Sequence, residues 1–104
     1  MTARRQRNGR FLRQLRETPE DQFCWLIWSI KWNAWHRRSS TGGAAGYTDN
    51  IAHAGLFPFS TARAYHDGEV NEAYHASATV DRVDREIADL DARRAALLAI
   101  KAAA

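Results

Sequence analysis

The sequence predicts a small α+β domain in which a β-hairpin or small sheet packs with short helices and one long C-terminal helix. One observation behind this prediction is a run of four tryptophans, Trp25, Trp28, Trp32 and Trp35, within eleven residues. The other is a long helical pattern over about residues 78–102. The tryptophans are spaced by three, four and three residues, which also fits one stripe of a helix, so an all-α fold is the alternative.

Chain length and charge predict two regions. At 104 residues the chain has room for one modest core. Residues 1–16 contain six arginines and no acidic residue, whereas the other 88 residues carry a net charge of −3. We therefore expect a flexible basic arm over residues 1–16 and a single folded domain over residues 17–104. Four arginines of the arm are candidate nucleic-acid contacts, because arginine neutralises phosphates and releases counterions: Arg4, Arg5, Arg7 and Arg10. A solvated leader is the alternative for the arm.

Hydropathy and cysteine content indicate in which compartment of the cell the protein is expected to act. The longest nearly uncharged run, Phe23 to Ile30, is far too short to cross a bilayer. No apolar segment of a secretory signal follows the basic N-terminus. The single cysteine, Cys24, cannot form an internal disulfide and has apolar neighbours. We therefore expect a cytoplasmic protein that does not bind membranes.

The tryptophan segment alternates as a strand would. Side chains two residues apart share one face of a strand, and five apolar residues follow this rule: Cys24, Leu26, Trp28, Ile30 and Trp32. Tryptophan, isoleucine and phenylalanine also favour a pleated, half-buried surface. Residues 31–33 then form a turn, and a second strand is expected over about residues 34–38.

The middle of the chain predicts a loop and two short helices. Residues 39–46 are rich in serine, glycine and alanine and are expected to form a flexible loop. Thr48 can cap a short helix over residues 49–54, which ends at Gly55. Ser60 can cap a second helix over about residues 60–66.

The C-terminal helix has the clearest pattern. Five apolar residues follow a spacing of three and four: Val80, Val83, Ile87, Leu90 and Leu97. Acidic and basic residues four apart support the helix further. The apolar stripe is expected either to pack on the sheet or to form a coiled-coil seam in a homodimer, which Arg94 would weaken.

The segment over residues 23–66 resembles a family of small phage and prophage proteins. The family pattern is an apolar strand with tryptophan, then G-Y-T, a short helix, A-G, an aromatic residue and another helix. The chain departs from it at Thr61, where the family usually has an acidic residue. The resemblance favours a hairpin for the tryptophans and rests on these positions: Trp28, Ser29, Trp35, Gly46, Tyr47, Thr48, Ile51, Ala54, Gly55, Phe57 and Ala62.

The resemblance also implies a non-catalytic binding protein that acts on a host or phage protein or nucleoprotein complex. Inhibition of a host defence, in the manner of an anti-CRISPR protein, is one version of this expectation. The alternative is a nucleic-acid-binding module that uses the arginine arm and a Trp/Arg patch. The expected contact surface combines aromatic residues with basic ones: Trp32, Trp35, His36, Arg37, Arg38 and Tyr47.

The sequence contains no complete catalytic or cofactor motif. Its glycines lack the spacing of a P-loop or of a dinucleotide-binding loop. Four histidines are present, but none forms a short-spaced pair typical of a zinc site. His66, Asn71 and His75 follow the order of an HNH nuclease, but a helix end and a turn are expected there instead of the hairpin that such a site needs. We therefore predict no enzyme, no metal and no cofactor.

Overall fold

The computed structural model describes residues 12–104 and confirms the α+β fold. Four antiparallel strands form one sheet in the order β3-β2-β1-β4. The strands are β1 (Trp25–Ser29), β2 (Ala34–Arg38), β3 (Ala44–Thr48) and β4 (Asn71–His75), and the helices are α1 (Phe59–Tyr65) and α2 (Val80–Ala103). Two 3-10 turns, Ile51–His53 and Ala76–Thr79, precede α1 and α2. The tryptophans lie on strands and their turn, so the all-α alternative is wrong.

The hairpin of β1 and β2 forms as predicted. Trp28 lies opposite Trp35, and Ser29 lies opposite Ala34. The hydroxyl of Ser29 accepts a hydrogen bond from the Trp32 backbone N–H at 3.0 Å, which fixes the turn between the strands. The turn ends at an asparagine with a φ of 51°, a left-handed conformation that asparagine tolerates better than most residues.

Strand β1 changes partner where β2 turns away from it. The backbone groups of Trp25 and Phe57 exchange hydrogen bonds of 3.1 and 2.8 Å, and the Gly55 N–H donates to the His36 carbonyl at 3.0 Å. A Cβ at Gly55 would lie 2.6 Å from the backbone nitrogen of Arg38. Gly55 is therefore needed for close approach to β2, rather than as the end of a helix.

Part of the predicted glycine loop is a strand. Only the turn from Ser39 to Gly43 is a loop, closed by a 2.7 Å hydrogen bond from the Ser39 N–H to the Gly43 carbonyl. Strand β3 has one more residue than β2 between the pairs His36–Tyr47 and Arg38–Ala44, which makes a bulge. Strand β3 forms because the edge of β2 supplies hydrogen-bond partners for its backbone, and these partners are not visible in the local sequence.

Strand β4 is a second element that the sequence analysis missed. It pairs with β1 along all five residues of that strand. Before it, one carboxylate oxygen of Asp67 accepts hydrogen bonds from the backbone N–H groups of Glu69, Val70 and Asn71 at 2.9, 2.8 and 3.0 Å. The polar sequence of β4 gave little indication of a strand, because its stability comes from pairing with β1.

The first of the two predicted short helices is only a turn, whereas the second is present as α1. The Asn50 side chain caps the 3-10 turn, accepting from the Ala52 N–H at 2.9 Å, in place of the predicted Thr48 cap. The carboxylate of Glu20 accepts a hydrogen bond from the Ser60 N–H at 3.1 Å. A carboxylate from a distant segment therefore caps α1.

The core lies between the sheet and α1. Trp25 packs with Phe59, Ala62 and Ala73, all buried. The Trp25 indole N–H donates to the Thr18 hydroxyl at 2.8 Å, so its polar atom is satisfied inside the core. Thr18 thus holds a loop on the core, although its sequence context resembles a helix start.

Helix α2 does not lie across the sheet. It contacts the turn Ile51–His53 and the 3-10 turn that precedes it. The Arg82 guanidinium lies over the rings of Trp28 and Trp35, 5.6 and 5.5 Å from their centroids. Beyond this base nearly every helix residue is exposed, and the molecule measures 62 Å along its longest axis. Among the described residues, no helix has the length and apolar character required to span a bilayer.

Candidate functional site

The six residues of the expected contact surface do not share one environment. Trp32 and Tyr47 are exposed, at 59% and 47% of their surface. Trp35 and His36 are buried, at 3% and 6% exposed. In this structure Trp35 and His36 of the expected surface lie inside the fold, because β2 is an inner strand, the Arg82 guanidinium lies over the Trp35 ring and the Tyr65 ring contacts His36.

Arg37 and Arg38 are both exposed but project from opposite faces of β2, because neighbouring strand residues alternate in direction. The Arg38 guanidinium lies 4.6 Å from the centroid of the Phe23 ring, which is itself 42% exposed. The two arginines therefore cannot act as one basic cluster beside the tryptophans.

Trp32 and Tyr47 form an exposed aromatic pair at one end of the sheet. Their ring centroids are 6.2 Å apart, and the Lys31 ammonium lies 5.4 Å from the Trp32 centroid. Lys31 and Trp32 lie in the turn after β1, whereas Tyr47 lies on β3. We call Lys31, Trp32 and Tyr47 the Trp32 patch.

Buried rings support the patch from below. The His36 ring lies 4.9 Å from Tyr47 and 5.3 Å from Tyr65 of α1, centroid to centroid. The His36 Nε2 atom lies 2.7 Å from the side-chain oxygen of Asn71. Because an amide oxygen only accepts, His36 Nε2 carries the proton and donates it. Sequence spacing gave no signal for Tyr65, and Asn71 stood out only in the order of an HNH nuclease, because both belong to elements far along the chain from His36.

The outer edge of β4 is closed by side chains. The Ala73 N–H donates to His66 Nδ1 at 3.1 Å, and the Ala73 carbonyl accepts from the Arg13 guanidinium. His66 Nε2 donates in turn to the Arg13 carbonyl at 2.6 Å. Arg13 therefore lies against the edge of the sheet and Leu15 packs against the core, although both fall within the predicted arm.

His66 and Asp67 titrate differently because of these contacts. Burial lowers the pKa of His66 below its ordinary value, and the charge of the Arg13 guanidinium lowers it further, against the opposing effect of the Arg13 carbonyl. Burial by itself would raise the pKa of Asp67, but the three backbone donors outweigh burial and lower it. The edge is therefore held by a neutral histidine and an ionised carboxylate.

A second aromatic group lies on the opposite face of the sheet. The rings of Trp28 and Trp35 meet edge to face at 4.9 Å, and Tyr74 lies 6.2 Å from Trp35. Arg82 of α2 lies against this group, so its visible role is to anchor the helix. Burial raises the pKa of Tyr74, and its hydrogen bond to Glu72 adds to this effect.

The described part of the chain assembles no metal centre. Within residues 12–104, no three histidine, cysteine, aspartate or glutamate side chains are grouped closely enough to hold a metal ion. Cys24 is half-buried beside the Thr18 hydroxyl, at 3.7 Å from sulfur to oxygen. The candidate nucleic-acid contacts Arg4, Arg5, Arg7 and Arg10 lie outside the described residues.

Comparison of the chain with protein family models, with curated proteins and with solved structures found no match.

Proposed function

We propose that this protein is a non-catalytic binding protein that occupies a macromolecular partner through the Trp32 patch. One observation supports this most directly: two large aromatic rings, 59% and 47% exposed, lie side by side with a lysine over one of them. Tryptophan and tyrosine dominate binding hot spots because each offers a large apolar area at low conformational cost.

The packing beneath the patch supports the same proposal. Tyr47 rests on His36, whose ring is fixed by Asn71 and Tyr65, so the aromatic surface is held in place before binding. A preorganised surface loses less entropy when it binds. The rings are therefore better suited to recognition than to filling a core.

The partner that we propose is a host or phage protein, or a nucleoprotein complex, in the bacterial cytoplasm. This part of the proposal rests on the resemblance of residues 23–66 to small phage and prophage proteins. Occupation of a defence complex in the manner of an anti-CRISPR protein is the most specific form of the idea.

Affinity capture with matched variants tests the proposal. The wild-type protein and a Trp32→Ala, Tyr47→Ala double variant are immobilised at equal density and exposed to lysate of a bacterial host. We expect the wild type to retain a defined protein or complex, identified by mass spectrometry, and the double variant to lose it. Titration of the purified partner should then show at least a ~100-fold weaker affinity for the double variant.

The control removes an aromatic ring elsewhere. Phe23→Ala truncates an exposed ring that contacts Arg38 and lies outside the patch. This variant should bind the partner as the wild type does. Equal binding by the wild type and the double variant would contradict the proposal.

Single-stranded nucleic acid is the alternative partner, because stacked aromatic rings beside cations also bind unpaired bases. Fluorescence anisotropy of labelled DNA and RNA oligonucleotides, at two salt concentrations, distinguishes a nucleic-acid partner from the proposed protein or nucleoprotein partner. A steep salt dependence that disappears on deletion of residues 1–11, which leaves Arg13 in place, would support this alternative. Absence of binding by the full-length protein would eliminate it.

A further inference from the structure

We propose that two copies of this chain associate through antiparallel pairing of α2, with the end of each helix seated in a groove at the base of the other. This interface uses none of the residues of the Trp32 patch. The proposal is therefore independent of the proposed function.

Helix α2 exposes an apolar stripe that Arg94 interrupts between Leu90 and Leu97. Seven large apolar side chains along it are each at least 36% exposed: Val80, Val83, Ile87, Leu90, Leu97, Leu98 and Ile100. A patch of this extent on a soluble protein marks an interaction surface. A 24-residue helix with this spacing supplies the seam that a helix pair needs.

The stripe continues into a groove between α2 and the body. Ile51 and Leu56 of the body and Val80 and Val83 of the helix line this groove, which has a volume of about 430 Å³. Leu56 and Val80 are 45% and 50% exposed, so apolar side chains of both walls face open space. We call this the base groove.

The helix cannot fill its own base groove. Leu97 lies 17 residues beyond Val80, or roughly 25 Å along a helix that rises 1.5 Å per residue. In an antiparallel pair centred between Ile87 and Leu90, Leu97 of the second copy lies opposite Val80. The apolar end of each helix then reaches the base groove of the other.

The charges that flank the stripe suit this register. Glu86, which approaches Arg93 of its own helix at 3.8 Å, lies two residues from the position directly opposite Arg93 of the second copy, and the two-fold axis repeats this flanking pair. Arg94 lies opposite Val83 of the second copy. Arg94, which interrupts the stripe, lies beside Asp84 of the second copy. Asp84 also approaches Asp91 across the seam, and Arg94, three residues from Asp91 on its own helix, neutralises this acidic pair.

A parallel pair in the same seam is unfavourable. It would place Arg94 against Arg94 of the second copy and Glu86 against Asp91, both like charges. It would also leave both base grooves unfilled, because the two helix ends would then lie together. Charge and shape therefore both favour the antiparallel orientation.

Disulfide cross-linking tests the orientation. In a Cys24→Ser background, a Val80→Cys variant is mixed with a Leu97→Cys variant under mild oxidation. We expect a mixed disulfide between the two variants and little cross-linking of either variant alone. Efficient cross-linking of Val80→Cys with itself would overturn the antiparallel arrangement. Ala88→Cys, on the opposite helix face, should remain uncross-linked.

Light scattering tests the association itself. We expect the full-length protein to have twice its 11.8 kDa chain mass at high micromolar concentration. Leu97→Glu should raise the dimer dissociation constant at least ~100-fold, because in a two-fold symmetric dimer one substitution removes two apolar contacts. Ala96→Glu adds the same charge on the other face and should leave the dimer intact. A wild-type monomer at the highest concentration would overturn the proposal.

Discussion

The two sides of strand β1 are built differently. On one side, β4 pairs with all five residues of β1 in one unbroken register. On the other side, β2 pairs only at Trp28 and Ser29, and Phe57 takes its place at Trp25. The β4 side is regular, whereas the β2 side is assembled from two segments of the chain.

The outer edges of the sheet extend this difference. At β4 the backbone of Ala73 is satisfied by His66 and Arg13, which closes the edge. At β3 a bulge interrupts the register, and Tyr47 lies exposed beside Trp32. A bulge also protects an edge from pairing with another strand, because it disrupts the row of backbone groups. The regular side closes the fold, and the irregular side presents the candidate surface.

The largest loss in the free energy of unfolding should come from a substitution at Gly55, which lies against β2 on the irregular side of β1. Gly55→Ala places a Cβ 2.6 Å from the Arg38 nitrogen and 2.7 Å from the Arg38 Cβ, so backbone must move. We expect a loss of about 3 kcal/mol in the free energy of unfolding, measured by urea denaturation. Gly43→Ala is the matched control, because its nearest neighbour is the Ser39 hydroxyl at 4.0 Å. Equal stability of the two variants would show that the contact between Gly55 and β2 is not tightly packed.

The next largest loss in the free energy of unfolding should come from removing the hydrogen bonds that close the outer edge of β4, on the regular side. His66→Leu leaves the Ala73 N–H without its acceptor and the Arg13 carbonyl without its donor. We expect a loss of about 2 kcal/mol in the free energy of unfolding. His66→Asn, which can keep an acceptor near Ala73, should lose less. If His66→Leu had the same denaturation curve as the wild type, water would be supplying the hydrogen bonds that His66 makes at this edge.

Acid should weaken the same edge. The pKa of His66 is lowered in the folded protein, so near pH 6.5 the unfolded chain binds a proton at His66 more readily than the folded chain does. Protonation therefore favours the unfolded state. The contribution of His66 is therefore fully present above pH 6.5 and is lost as pH falls below it. The Glu72 and Asp67 carboxylates oppose this shift, and the Arg13 guanidinium favours it.

Denaturation midpoints from pH 8 to pH 5 measure this effect. The wild type should lose stability over this range more steeply than His66→Leu, which retains the other three histidines. Parallel pH profiles would contradict the assignment of the effect to His66.

The smallest effect on stability should come from the exposed patch. Trp32→Ala removes a ring that is 59% exposed, so the free energy of unfolding should change by only about 0.5 kcal/mol. Thermal unfolding followed by circular dichroism measures the change. A large loss would mean that Trp32 supports the fold, and the Trp32 patch would then be a poor candidate for recognition.

The sequence predicted the long helix from its apolar spacing, and it predicted the hairpin from strand alternation together with the resemblance of residues 23–66. The predicted second strand over residues 34–38 agrees with β2, and the helix predicted over residues 78–102 is α2, Val80–Ala103. Both elements have strong periodic patterns. Strands β3 and β4 were missed because Ala44–Thr48 and Asn71–His75 have small or polar residues and depend on pairing with other strands.

The candidate site was predicted only in part. Trp32 and Tyr47 were both part of the expected surface, and their rings lie 6.2 Å apart because β3 pairs with β2 and places Tyr47 beside the turn. Lys31 was not expected, although it precedes Trp32 in the chain. Trp35 and His36 were predicted to be accessible, and sequence spacing could not show that Tyr65 of α1 packs on His36 and that Arg82 of α2 lies over Trp35.

The sequence by itself therefore determined α2 and favoured the hairpin and the α+β class, because helical spacing and strand alternation are local properties of the chain. Only the tertiary structure decided which tryptophans are buried, since burial depends on what packs against each face. It also decided the role of Gly55, which is required because Arg38 lies against it. Contacts between segments far apart in the chain leave no local periodicity, so they emerged only when the sheet was assembled.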